Sequence, residues 1–169
     1  GSEMCIRDRG CARPANCAAA GKVVEALQRD AWDVAFLAID PLRANEIPFT
    51  APYVIIEGTY VVPDASAIRT IDDVDREGVR VAVGRGSAYD LYLARTIEHA
   101  QLVRFATGAE ALQRFVRDGL EAAAGVKQPI VAFAAAHPEL RVVPGKFMAI
   151  EQAVGVPKSR SDAATYVRA

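Results

Sequence analysis

With 169 residues, the chain is long enough for one ordinary domain or two small lobes, and its 51% hydrophobic and 24% charged residues are the balance of a soluble globular protein. Twenty basic residues against twenty-one acidic ones leave a net charge of −1, which excludes the electrostatic footprint of a nucleic-acid or anionic-membrane binder. No apolar run approaches the roughly 18 residues that a membrane helix needs.

In chain order, the first twenty residues do not read as architecture: GSEMCIRDRGCARPANCAAA has no apolar period, no cap and no signal-peptide core. The string SEMCIRDR resembles translated sequencing-adapter sequence, so residues 1–20 are expected to be an artefactual or disordered leader. All three cysteines, Cys5, Cys11 and Cys17, fall within it at an even spacing that is no zinc pattern. The cysteine-free remainder fits an oxidising compartment. From residue 21, GKVVEALQR places Val23, Val24 and Leu27 on one helical face. Trp32 and Asp33 lead into an apolar run over 34–39 that suits a buried strand. Asp40 followed by Pro41 marks a helix start, an N-cap acceptor and then a proline in the first turn, and this short helix carries Arg43. Ile47, Pro48 and Phe49 resume an extended path that ends at Pro52, and TYVV at 59–62 reads as another strand.

Beyond Asp64 the spacing predicts a short helix over 71–78, a strand over 79–83, and a Gly84-Arg85-Gly86-Ser87 turn opening a helix to about His99. A strand over 102–105 follows, then a helix over 108–117 with Leu112, Phe115 and Val116 on its apolar side. A strand over 121–125 leads to an alanine-rich helix from Pro129 to His137, then strands over 140–143 and 153–156 and a final helix reaching Ala169. Strands alternating with helices in this way predict an α/β fold with a mainly parallel sheet covered on both faces. No internal repeat or low-complexity linker appears.

Several of these features occur together in a recognisable order. Trp32-Asp33-x-Ala35, Asp40-x-x-Arg43, Phe49-Thr50-x-Pro52-Tyr53 and Gly84-x-Gly86-Ser87 resemble the motifs of type 2 extracytoplasmic solute-binding proteins of ABC importers, in particular the amino-acid-binding branch (bacterial family 3). Gly119-Leu120-Glu121-Ala122 and Val154-Gly155-Val156-Pro157-Lys158 extend the resemblance over about residues 21–158. Each motif alone is weak; together, in register, they make the case. The resemblance implies a two-lobed periplasmic-binding-protein-like fold, with lobes joined by two crossing strands and ligand held in the cleft. Residues 21–62 then form part of lobe 1, 63–147 form lobe 2, and 148–169 cross and return to lobe 1. Lobe 1 is expected to be incomplete and the chain truncated at both ends, with unpaired strand edges that make it a poor folder.

The resemblance also nominates residues. Arg43, with Ala38 on the preceding strand, matches the arginine that grips a ligand carboxylate, for which a planar guanidinium with two parallel donors is well suited; the plainer alternative is an exposed arginine paired with Asp40 or Glu46. Gly86, Ser87 and Ala88 form a strand-to-helix turn whose N–H groups and hydroxyl would receive an anion, although Ser87 capping its own helix explains the same residues. Lys127 stands at or beside the position where amino-acid binders carry an aspartate for the ligand's ammonium group. A lysine there implies an anionic solute, such as a carboxylate lacking a free amine; a solvated lysine at a helix start is the alternative. Tyr53, Tyr60 and Tyr89 are the aromatic candidates for stacking, and His99 and His137 are expected to be solvent-facing at helix ends.

Catalysis finds no support. Tyr89 occupies the third glycine position of a dinucleotide fingerprint, no Gly-Lys-Ser/Thr follows the turn, and no Ser-His-Asp order or metal cluster is present. No cofactor and no enzyme activity are expected. The function implied is capture of a small carboxylate-bearing solute by hinge closure, for an ABC permease, outside the cytoplasm, by a protein that is a monomer when complete. Two alternatives on the same fold are the sensor domain of a membrane signalling protein and a periplasmic dehydratase.

Overall fold

The structure, a computed structural model, describes residues 4–6, 20–29, 31–160 and 167. The helix expected before Ala169, and Cys11 and Cys17, lie outside the described residues. In chain order the strands are β1 (Met4–Ile6), β2 (Val34–Ala38), β3 (Val54–Pro63), β4 (Arg80–Gly84), β5 (Gln101–Phe105), β6 (Ala122–Val126), β7 (Leu140–Val142) and β8 (Met148–Gly155). The α-helices are α1 (Ala20–Leu27), α2 (Pro41–Ala44), α3 (Ala88–Thr96), α4 (Gly108–Arg117) and α5 (Lys127–Ala135). The chain divides into two compact units, one spanning Ile56–Ala149 and the other made of the residues up to Ile55 and from Ile150 onward.

In the unit that holds Arg43, β2 pairs antiparallel with β8, Ala35 opposite Gly155 and Ala38 opposite Gln152. On its other side β2 pairs antiparallel with β1, Met4 opposite Phe36. Part of the first twenty residues is therefore a strand, against the expectation of no architecture. The reason is that a strand edge recruits backbone N–H and C=O groups, so three apolar residues suffice without any sequence period. The core here is built from Val23, Ala26, Trp32, Ala35, Leu37 and Ile47. The Trp32 indole N–H donates to the Val23 carbonyl at 2.8 Å, satisfying the ring's polar atom within an apolar cluster. Gly155 has a packing reason: a Cβ there would stand 2.6 Å from Ile47 Cγ2.

In the unit Ile56–Ala149, β4 is parallel to β5 and to β6, with Val81 opposite both Leu102 and Ala122. β3 is antiparallel to β6 and β7, Val61 facing Ala123 on one side and Val142 on the other. The mainly parallel sheet is thus corrected to a mixed one. Only the β4–α3–β5 and α4–β6 segments return through a helix; strands that meet after long detours are free to run antiparallel. Val61, Ala82, Ala111, Leu112, Phe115, Leu120, Ala123 and Ile130 form the core. On α4 the buried face is Ala111, Leu112 and Phe115, while Val116, expected inside, is 40% exposed.

Two predicted helices are shorter than expected, and one carboxylate accounts for the second. Over 71–78 only Asp72–Val74 forms a 3-10 turn. Asp75, just after it, accepts the backbone N–H groups of Glu98, His99 and Ala100 at 2.8–3.0 Å. These bonds draw the chain out of α3, so the helix ends at Thr96 and β5 begins at Gln101. Burial by itself would raise the Asp75 carboxyl, but the three N–H donors outweigh it and bring it down to about 2. A depressed carboxyl stabilises the fold above its unfolded value and loses that contribution as pH falls through the folded value. We therefore expect Asp75 to contribute to acid unfolding between about pH 4 and pH 2. In an Asp75→Asn variant, urea titrations across this window should show a shallower fall in stability than in the parent; parallel curves would remove Asp75 from the account.

Candidate functional site

Arg43 lies on the four-residue helix α2, which begins as its sequence demands: the Asp40 carboxylate accepts Leu42 N–H at 2.9 Å and Pro41 fills the first turn. Arg43 is only 3% exposed, so the alternative of an exposed arginine is excluded. Its Nη1 donates at 3.0 Å to the carbonyl of Ala38 at the end of β2. The structure thus joins Arg43 and Ala38: the strand end holds the guanidinium in place. Burying a charged fork is expensive unless it is bonded.

In the other unit, Gly86, Ser87 and Ala88 form the turn between β4 and α3. Ser87 Oγ accepts Asp90 N–H at 3.1 Å as the N-cap, which leaves the hydroxyl proton to donate elsewhere. The expected anion contact at Gly86 needs correction: its N–H donates at 2.8 Å to Asp90 Oδ2. The turn satisfies that donor with its own carboxylate.

Lys127 is the first residue of α5, on the strand end of β6. Because β4 and β6 are parallel neighbours, the Ser87 turn and Lys127 stand at the same carboxyl edge of the sheet, where ligands bind in open α/β sheets. Lys127 is not simply solvated: its Nζ donates to Glu57 Oε2 at 2.7 Å, and Lys146 reaches Glu57 Oε1 at 3.1 Å. Lys127 first, and Lys146 second, hold the Glu57 carboxyl below the usual carboxylate range.

The aromatic candidates separate. Tyr60 is buried and packs on Phe147 with ring centroids 4.6 Å apart, Tyr89 is buried beside Gly84 and Gly108, and Tyr53 is exposed with its ring edge-on to Phe36. His99 is exposed beside Asp75, whereas His137 stacks on Phe133 at 4.2 Å. Sequence reasoning missed Asp90 and Glu57. Ser87-x-x-Asp90 has capping-box spacing and was available as a signal; Glu57, 70 residues from Lys127, had none. Among the described residues, no group of three His, Cys, Asp or Glu side chains is placed to hold a metal ion. Among them also, no helix is long and apolar enough to cross a membrane.

No protein-family model and no curated protein sequence matches this chain. Solved structures match its fold. A holo arginine-binding protein from T. maritima aligns with a TM-score of 0.75 at 23% identity, over 88% of this chain and 66% of that one. A solute receptor for L-cysteine from Neisseria gonorrhoeae aligns with a TM-score of 0.76 at 22% identity, over 88% and 61%. The ancestral amino acid-binding protein AncCDT-1, a precursor of cyclohexadienyl dehydratase, aligns with a TM-score of 0.71 at 24% identity, over 88% and 65%. The fold is the α/β, two-lobed periplasmic-binding-protein-like fold, and this chain spans slightly under two thirds of the length of these proteins.

Proposed function

We propose that the chain belongs to a solute receptor that takes up a small carboxylate-bearing molecule, an amino acid or a related organic anion. The observation that carries this reading is the fold shared over 88% of the chain with an arginine-binding protein and an L-cysteine receptor. Each unit supports the reading by itself: one holds the buried Arg43, a residue type suited to a carboxylate, and the other holds the Ser87 hydroxyl and the Lys127–Glu57 pair, polar groups suited to a zwitterion. Delivery to an ABC permease and an extracytoplasmic location are proposals of the same standing, resting on the motif resemblance. The proposed role is binding, with no group assigned to acid–base chemistry.

Thermal denaturation against L-arginine, L-glutamine, L-cysteine, succinate and putrescine tests the reading. At least one carboxylate-bearing compound should raise the melting temperature by roughly 5 °C at saturation. Succinate standing above the amino acids would show that Lys127 sets the preference; the reverse order would show that Glu57 does. Stabilisation by putrescine alone, which has no carboxylate, would sink the proposal.

A further inference from the structure

In the unit Ile56–Ala149, the strand end that carries Lys127 sets one carboxylate between two ammonium groups. Glu57 precedes Gly58, which lies opposite Val126 in the β3–β6 pair, and Lys127 follows Val126 directly. Lys127 Nζ donates to Glu57 Oε2 at 2.7 Å and Lys146 Nζ to Glu57 Oε1 at 3.1 Å, so the two lysines share a single counter-charge. Among the described residues, neither lysine is paired with a second carboxylate. The neighbouring residues are anchored. Phe147, next to Lys146, packs on Tyr60 with ring centroids 4.6 Å apart and lies 6.1 Å from Tyr92, and its N–H donates to the Gly58 carbonyl at 3.0 Å. Gly58 leaves room for that ring, since a Cβ there would stand 2.9 Å from Phe147 Cε2 and Cζ. Backbone bonding and ring packing thus hold Glu57 and Lys146 side by side, which lowers the ordering cost of the charge cluster.

The side chains of Lys127 and Lys146 are 46% and 52% exposed, and each ammonium group keeps N–H donors beyond the one given to Glu57. The Lys127–Glu57 pair alone is neutral and suits either end of a zwitterion. Lys146 breaks that balance, because two ammonium groups against one carboxylate leave the cluster positive. An incoming carboxylate is attracted by both lysines and repelled by Glu57 alone, whereas an incoming ammonium group meets two like charges for one acceptor. We propose that Lys146 is a specificity-determining residue of this strand end, and that the solute carries a second anionic group: it is a dicarboxylate or an acidic amino acid, not a neutral or basic one. The proposal deepens the receptor reading above and rests on it.

Calorimetric titration with L-glutamate and L-glutamine, which differ by one charged group, reads this preference directly, and succinate reads it without an ammonium group. In the parent, the tighter of L-glutamate and succinate should bind at least about fivefold more strongly than L-glutamine. Lys146→Gln should bring that ratio within about twofold and leave the L-glutamine affinity unchanged, whereas damage to the fold would weaken every solute together. Lys146→Arg keeps the charge and should keep the ratio. Glu57→Gln removes the competing carboxylate and should raise the affinity for the anion by about fivefold. L-Glutamine or L-arginine bound as tightly as the better anion in the parent, or a ratio that survives Lys146→Gln, would overturn the proposal. Binding without the charge preference removes this proposal alone. A parent that binds no solute of either set removes the receptor reading and this proposal with it.

Discussion

Trp32→Ala should lower the stability of the protein by about 4 kcal/mol, the largest loss expected from any single substitution here. Trp32 is 1% exposed at the centre of the cluster formed with Val23, Ala26, Ala35, Leu37 and Ile47. Truncation removes the apolar contacts of the ring, leaves a cavity that rigid neighbours fill only in part, and removes the indole bond to the Val23 carbonyl. Trp32→Phe separates these contributions. It keeps most of the ring volume and should cost roughly 1–2 kcal/mol, largely the hydrogen bond. Urea titration followed by far-UV circular dichroism measures both. A loss below about 1 kcal/mol in Trp32→Ala would mean that the cluster does not hold its unit together.

Arg43→Met should weaken solute binding by roughly 100-fold, the cost range for truncating one partner of a buried, bonded charge pair. Methionine approximates the length of the stem without the guanidinium, so the change is chiefly electrical. Stability should fall as well, by about 1–3 kcal/mol, because the Ala38 carbonyl loses its charged donor. Arg43→Lys should restore part of the stability and little of the affinity, since an ammonium group has no planar fork to give a carboxylate two parallel bonds. Calorimetric titration with the best solute of the panel provides the readout. Affinity within threefold of the parent in Arg43→Met would show that the buried arginine serves the strand end of β2 and not a solute.

Local chemistry was legible where a feature depends on residues close in sequence. The Asp40–Pro41 start of α2, the Ser87 cap of α3 and the full span of α4 all rest on caps and turns reaching at most a few residues. The same logic failed where a distant group intervened. The α3 helix stops at Thr96 because Asp75, more than twenty residues earlier, takes the N–H groups of Glu98, His99 and Ala100. Val116 reads as apolar and core-facing from the periodicity of α4, yet the sheet beneath accepts Ala111 in its place.

By itself, then, the sequence determined most of the order of strands and helices, though not β1 or the 3-10 turn at Asp72–Val74, and the caps that start α2 and α3. Each depends on backbone propensity and on hydrogen bonds between near neighbours. Only the tertiary structure decided which strands pair and in what direction, which carboxylate meets Lys127, and that Asp90 already fills the Gly86 turn. Those outcomes join residues as far apart as Glu57 and Lys127, or Ala35 and Gly155. No local pattern encodes such a partner, because long-range pairs form only when the whole core has brought their strands together.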